Sequence, residues 1–128
     1  MAVSDDPPRP ARLIRIAVRD MHGQPAAGAE VEVAINGRPG GSIFTGPGVI
    51  ESTLGLDDPN ASVQLNVNLG GQSQSAALAP GQDSIQFSFQ IIVPFKAQAP
   101  PVAYCPDGTT GSPCVICHDG GDTWMICT

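Results

Sequence analysis

The feature of this sequence that most constrains its fold is a strict alternation of apolar and polar residues, which recurs along the chain. In its clearest instance, Val63, Leu65, Val67 and Leu69 are separated by single polar residues. A period of two residues is that of a β-strand with one buried face, and helical spacing is not found. The sequence therefore predicts an all-β fold in which each strand buries one of its two faces.

Other segments show the same period or flank a strong turn signal. They are residues 14–19, 30–35, 43–45, 49–54, 72–78 and 85–93. Glycine and proline separate these segments, and with 15 Gly and 13 Pro the chain has many residues suited to turns. About seven short strands favour a single antiparallel β-sandwich, because a sheet with one polar face must bury the other against a second sheet.

The length of 128 residues suits one domain with an appendage. We expect a disordered N-terminal arm at residues 1–11, the sandwich at 12–94, a Pro-rich linker at 95–103 and a Cys-rich hairpin tail at 104–128. None of the four cysteines lies within the sandwich segment. Residues 1–96 are therefore predicted to fold without the tail.

One stretch carries a family resemblance. Residues 16–33 consist of a strand, the pattern Asp-x-x-Gly-x-Pro-x-x-Gly-Ala at Asp20, Gly23, Pro25, Gly28 and Ala29, and a second strand. Over about residues 12–93 the chain resembles carboxypeptidase regulatory-like and transthyretin-like domains, also described as bacterial Ig-like domains. The resemblance implies an Ig-like or prealbumin-like sandwich that is not catalytic and serves in adhesion, in export assemblies or as an accessory to another protein.

The charge and the distribution of apolar residues disfavour nucleic acid and membrane as partners. The net charge is −6 with only six Lys and Arg residues, which disfavours nucleic acid because phosphates require clustered cations. Four of these, Arg9, Arg12, Arg15 and Arg19, lie near the N-terminus, where a solvated strand face is the preferred interpretation. No apolar stretch is long enough for a membrane span, and no signal peptide is visible, so a cytoplasmic location is expected unless disulfides form.

Catalytic residues are not apparent from the sequence. The two histidines, His22 and His118, stand in no nucleophile or metal-hydrolase motif, and the adjacent carboxylates Asp57 and Asp58 point apart on an extended chain. We therefore expect a protein that is not an enzyme, needs no cofactor and engages a protein partner or assembles with itself.

The four cysteines, Cys105, Cys114, Cys117 and Cys127, are all found in the last 24 residues, 105–128. If Gly120 and Gly121 form a two-residue hairpin loop, counting outward places Cys114 opposite Cys127 at a non-hydrogen-bonded position. A disulfide is feasible there, which leaves Cys105 to pair with Cys117. Two disulfides are the preferred interpretation, with Trp124 and His118 as partner-contact residues.

Other interpretations of the tail stay open at this point. The four thiols could instead hold zinc as a tetrathiolate site, in a small metal or redox protein. The string Cys114-Val115-Ile116-Cys117-His118 matches a covalent haem motif, but it is short and a hairpin is a poor haem pocket. The tail could also be a modified-peptide core carried by the sandwich, or it could dock through Trp124 with incidental cysteines. The leading hypothesis is a binding or assembly module that presents a cysteine-stapled hairpin.

Overall fold

The computed structural model describes residues 11–46, 50–90, 100–119 and 122–128. These residues form strands and no helix, so none of them forms a helix long and apolar enough to cross a membrane. The all-β prediction is confirmed. The strands are β1 (Arg12–Arg19), β2 (Glu30–Ile35), β3 (Arg38–Phe44), β4 (Ser52–Leu56), β5 (Val63–Leu69), β6 (Gln72–Ala77), β7 (Ser84–Ser88), β8 (Val102–Tyr104), β9 (Thr110–Gly111), β10 (Cys114–Asp119) and β11 (Asp122–Cys127).

The strands form two sheets. Sheet A has the order β10-β11-β4-β1-β7, and sheet B has the order β6-β5-β2-β3-β8-β9. Every pairing is antiparallel except that of β1 with β7, which is parallel and differs from the purely antiparallel prediction. Strands joined by a tight turn must be antiparallel, but β1 and β7 are far apart in the sequence. The chain reaches β7 from β6, which lies in the other sheet, so β7 can run in the same direction as β1.

One hydrophobic cluster takes side chains from both sheets. Ile14 and Leu54 of sheet A and Val31, Ile43 and Leu65 of sheet B are all completely buried. These are the apolar members of the predicted strand segments, so the sequence pattern identified the buried face of these five strands. Each such side chain contributes about 1.5–3 kcal/mol when it is fully removed from water.

The sequence did not predict the first half of β3. The predicted second strand ends at Asn36-Gly37, and the structure shows that these two residues are the turn of a hairpin, with φ of 52° and 78°. Positive φ at both positions suits a turn whose twist matches the flanking strands. β3 then begins at Arg38 and includes Pro39. Proline and glycine are rare inside strands, which is why the pattern indicated a strand only from residue 43 onward.

The motif that carries the family resemblance forms a turn after β1. The Asp20 carboxylate accepts hydrogen bonds from the backbone N–H groups of His22, at 2.8 Å, and Gln24, at 3.0 Å. Gly23 has φ of 77°, which explains the glycine at this place in the pattern. His22 is an exposed member of this turn.

The segment predicted as a separate tail is hydrogen-bonded into both sheets. β8 pairs with β3, and β11 pairs with β4. Ala103, assigned to the linker by sequence, and Ile126, assigned to the tail, are both 0% exposed and belong to the shared cluster. The end of the linker was therefore predicted too far along the chain. Strand β8 begins at Val102, directly after Pro100 and Pro101. Most of the predicted linker, and the end of the predicted strand at 85–93, lie outside the described residues.

Gly41 of β3 lies close to both β8 and β11. Its φ is +105°, and a Cβ built there would collide with the backbone carbonyl of Tyr104 and lie 3.0 Å from Ile126 Cδ1. Gly37 also has a positive φ, of +78°, but a Cβ there meets nothing within 4 Å. The two glycines therefore share a backbone requirement and differ in their surroundings.

We expect Gly41→Ala to lower the free energy of unfolding by more than Gly37→Ala does. Both substitutions carry the cost of an L-residue at positive φ, about 1–2 kcal/mol. Only Gly41→Ala also forces β8 away from β3. Urea titration of both variants measures the difference, and equal losses would contradict the close packing at Gly41.

Candidate functional site

The candidate site is the hairpin of β10 and β11 with its two disulfides. The register pairs Asp119 with Asp122 and Cys114 with Cys127, in agreement with the register predicted from a two-residue loop. Gly120 and Gly121 themselves lie outside the described residues. β11 is held between β10 and β4, so one long side of the hairpin is continuous with sheet A.

Both disulfides have the predicted partners. Cys114 is bonded to Cys127 with a Cα–Cα distance of 4.1 Å, and Cys105 is bonded to Cys117 with a Cα–Cα distance of 5.5 Å. The first bridge joins two neighbouring strands of sheet A. The second bridge joins β10 of sheet A to the residue that follows β8 in sheet B, so it ties the two sheets together at one edge.

The two bridges lie on opposite faces of the hairpin. Cys117 is 1% exposed and belongs to the shared hydrophobic cluster, whereas Cys114 is exposed on the outer face. Because side chains alternate along a strand, Cys114 and Cys117 cannot point to the same side of β10. The four sulfur atoms therefore form two separated pairs, an arrangement that does not converge on a single tetrahedral zinc ion.

The metal and haem alternatives also require free thiols. Within the described residues, no group of three or more His, Cys, Asp or Glu side chains is arranged to hold a metal ion. All four cysteines are in disulfides. Cys114 and Cys117 would have to be reduced before they could form the thioethers of a covalent haem.

Trp124 anchors the inner face of the hairpin. Its indole Nε1–H donates a hydrogen bond of 2.8 Å to the carbonyl oxygen of Gly40 in β3, on the other sheet. The side chain is 6% exposed. Trp124 was expected to contact a partner, but the structure places it in the core, where it joins the two sheets. A buried tryptophan whose N–H has a partner combines a large apolar contact with a satisfied donor.

The loop that carries Cys105 is held by its own hydrogen bonds. Cys105 N–H donates to the carbonyl of Thr109 at 2.7 Å, and the Asp107 carboxylate accepts from Thr109 N–H at 2.9 Å. Hydrogen bonds from the backbone and the side chain of Thr109 hold the pKa of Asp107 below its usual value. The ionised carboxylate stabilises the turn above the unfolded-state pKa of Asp107, and this effect is lost as pH falls through the folded pKa.

The outer face of the hairpin presents an apolar row that continues across sheet A. Ile116 pairs with Met125, Met125 pairs with Gly55, and Gly55 pairs with Leu13. We call these four residues the outer row. Ile116 is 44% exposed and Leu13 is 46% exposed at the two ends of the row, while Met125 is half-buried and Gly55, which has no side chain, is buried. Three strand spacings give the row a length of about 14 Å.

His118 stands beside the outer row. Its side chain is exposed, and its Nδ1 lies 3.1 Å from the Thr123 hydroxyl across the hairpin. The position of His118 fits its predicted role as a contact residue, which stays a prediction. The sequence did not reveal the outer row itself. Leu13 and Ile116 are apolar residues on the polar side of their alternations, but the pairing of four strands that aligns them is a tertiary property.

The site offers a rigid hairpin, two disulfides on opposite faces and an apolar row that is exposed at both of its ends. Comparison with known protein families, with curated proteins and with solved structures finds no match to this chain.

Proposed function

We propose that this chain is a non-catalytic binding or assembly module that buries the outer row of its stapled hairpin in a protein interface. The observation that carries the proposal is the alignment of Leu13, Gly55, Met125 and Ile116 across four strands. Single exposed apolar side chains are ordinary on protein surfaces, whereas contiguous ones mark interaction sites.

Rigidity supports the proposal. The hairpin that carries Ile116 and Met125 is fixed by the β4 ladder, by the Cys105–Cys117 bridge and by the Trp124 hydrogen bond to Gly40. A surface that is ordered before binding loses little conformational entropy when it binds. The disulfides have a structural role in this account, and they fit an oxidising compartment.

The finer architecture belongs to the same proposal. We infer that the two sheets form an Ig-like or prealbumin-like β-sandwich of the kind used by bacterial accessory and adhesion domains. The shared hydrophobic cluster supports this inference, as does the turn built around Asp20 and Gly23. A tetrathiolate zinc site for the four cysteines has less support, because their sulfur atoms are separated into two bonded pairs.

The proposed occupant of the outer row is a second copy of the chain. A straight row on a sheet face is complementary to itself about a two-fold axis along the row, which is the geometry of an isologous dimer. The row contains no charged side chain, so no charge has to be buried within the row when two copies meet.

The test is sedimentation velocity of the oxidised chain over a range of concentrations. We expect reversible self-association that Ile116→Ser weakens about tenfold or more, because burial of one such side chain contributes about 1.5–3 kcal/mol. Met21→Ser is the matched control, since Met21 is 48% exposed but lies in the turn after β1, away from the outer row.

Two results would overturn self-assembly through this face. One is a chain that stays monomeric at every concentration. The other is self-association that Met21→Ser weakens as much as Ile116→Ser does, since the contact would then not depend on the outer row. Far-ultraviolet circular dichroism of each variant checks that the fold is retained.

A further inference from the structure

The outer face of sheet B carries two identical chains of hydrogen-bonded side chains. In the first, the Ser75 hydroxyl donates to Asn66 Oδ1 at 2.7 Å, and Asn66 Nδ2 donates to Glu32 Oε2 at 3.0 Å. The second chain repeats this order two residues along each strand, with Ser73, Asn68 and Glu30. The repetition follows from the register, in which β5 pairs with β6 on one side and with β2 on the other.

These rows of hydrogen bonds fix the orientation of the Asn and Glu side chains and leave some of their donors and acceptors unused. An asparagine amide has two N–H donors, and a carboxylate has two acceptor oxygens. Asn66 uses one N–H on Glu32, and Glu32 uses one oxygen on Asn66. Among the hydrogen bonds of the described residues, one amide donor and one carboxylate oxygen therefore stay available side by side, and the same holds for Asn68 and Glu30. A donor beside an acceptor is the pattern that pairs with neighbouring hydroxyl groups.

An aromatic pair lies on the same face, across β3 from these acids. Glu32 pairs with Ser42, and Ser42 pairs with Tyr104, so the three side chains form one row. The rings of Tyr104 and Phe44 meet edge to face with centroids 5.5 Å apart, and Tyr104 is 37% exposed. The contact fixes the phenol ring at the surface, where it offers an apolar platform with a hydroxyl at its tip.

The row borders a shallow groove of about 730 Å³ that Glu32, Ser42, Gln64, Asn66 and Tyr104 help to line. Its polar groups recur at the spacing between strands, about 4.8 Å. That spacing is of the same order as the repeat of pyranose rings in an extended polysaccharide. We propose that the outer face of sheet B binds an extended, neutral polysaccharide laid across the strands, with a sugar ring on Tyr104 and hydroxyls on the Asn–Glu pairs.

The charges of the face select among polysaccharides. Glu30 and Glu32 both lie on it, and the cation that lines the groove, Arg38, is 3.7 Å from the carboxylate of Asp119. An acidic polysaccharide would be repelled by the two glutamates. A coiled glucan would not follow a straight row of groups across four strands, whereas an extended β-linked chain would.

This site is independent of the outer row. It lies on the other sheet and shares no residue with the hairpin, so a monomeric chain could still bind polysaccharide. Loss of self-association in Ile116→Ser would likewise leave this site intact, and the two proposals can fail separately.

The test is isothermal titration calorimetry of the oxidised chain with four oligosaccharides. Cellohexaose and chitohexaose represent extended neutral chains, maltohexaose represents a coiled one and hexagalacturonate an acidic one. We expect binding of at least one extended neutral chain. Tyr104→Ala and Glu32→Gln should each weaken that binding about tenfold, as expected for the loss of a stacking platform or of an acceptor with a charge.

Glu51→Gln is the matched control, because Glu51 is an exposed glutamate that precedes β4 and lies away from sheet B. It should bind as the unaltered chain does. Glu32→Gln keeps an oxygen that can accept from Asn66, so it tests the site even if Tyr104→Ala proves unstable. Failure of both extended neutral chains to bind would overturn the proposal. So would an affinity that neither variant changes, or tighter binding of hexagalacturonate or maltohexaose.

Discussion

Deletion of residues 97–128 is expected to abolish cooperative folding. The deletion removes β8 to β11 and takes six side chains from the shared hydrophobic cluster, namely Ala103, Cys105, Val115, Cys117, Trp124 and Ile126. The larger of these contribute about 1.5–3 kcal/mol each, and a domain is stable by only about 5–15 kcal/mol in total. This expectation is the reverse of the one that the sequence suggested.

The measurement is a thermal melt of residues 1–96 followed by circular dichroism, together with a proton NMR spectrum. We expect a broad transition and poorly dispersed resonances. A sharp transition with well-dispersed resonances would instead support the boundary that was predicted from the Pro-rich linker.

A matched pair of point variants separates lost packing from the effect of shortening the chain. Trp124→Ala removes an inward side chain that is 6% exposed, while Met125→Ala changes its half-buried neighbour on the outer face. Truncation of a buried tryptophan typically costs about 3–5 kcal/mol. We expect Met125→Ala to cost much less, and equal losses would contradict the anchoring role of Trp124.

Local rules explain what could be predicted from the sequence. The alternation around Val63 and Leu65 determines which face of β5 is buried, and that face is the buried one in the structure. The spacing between Cys114 and Cys127 about a Gly-Gly pair determines their register, and the same partners are bonded in the structure. Both inferences depend only on neighbours along the chain or across one tight turn.

The remainder depends on contacts that no local pattern encodes. The pairing of β11 with β4 joins residues about 70 positions apart. Trp124 is an example: its position opposite Cys117 was predictable, but its hydrogen bond to Gly40 was not. The outer row and the proposed polysaccharide site likewise arise from strand order, which aligns Leu13 with Ile116 across four strands and Tyr104 with Glu32 across three.

The second large effect is expected from the disulfides, and the two bridges should not be equivalent. Their sequence separations are 12 and 13 residues. In the chain-entropy model, loops of this length contribute nearly equal stabilisation, about 3 kcal/mol each, through the unfolded state. Any difference between Cys105→Ala/Cys117→Ala and Cys114→Ala/Cys127→Ala therefore reports on the folded state.

The folded state favours the inner bridge. Cys105 and Cys117 belong to the shared hydrophobic cluster, whereas Cys127 is 6% exposed but lies outside that cluster, and Cys114 is exposed. The Cys105–Cys117 bond also joins the end of β8 in one sheet to β10 in the other. Cys114 and Cys127 join two strands that their backbone ladder already holds together. Loss of the inner pair also leaves a small cavity, so we expect Cys105→Ala/Cys117→Ala to cost about 1–2 kcal/mol more than the outer double variant.

Urea titration of the two double variants, each with its remaining disulfide intact, measures this difference in the free energy of unfolding. Each variant retains one bridge of matched loop length, so the comparison does not depend on the reduced unfolded chain. Equal losses would mean that the bridges act only through the unfolded state. A larger loss for Cys114→Ala/Cys127→Ala would mean that the pairing of β10 with β11 depends on the Cys114–Cys127 bridge. It would also mean that Trp124 and the rest of the shared cluster hold the two sheets together without the Cys105–Cys117 bridge.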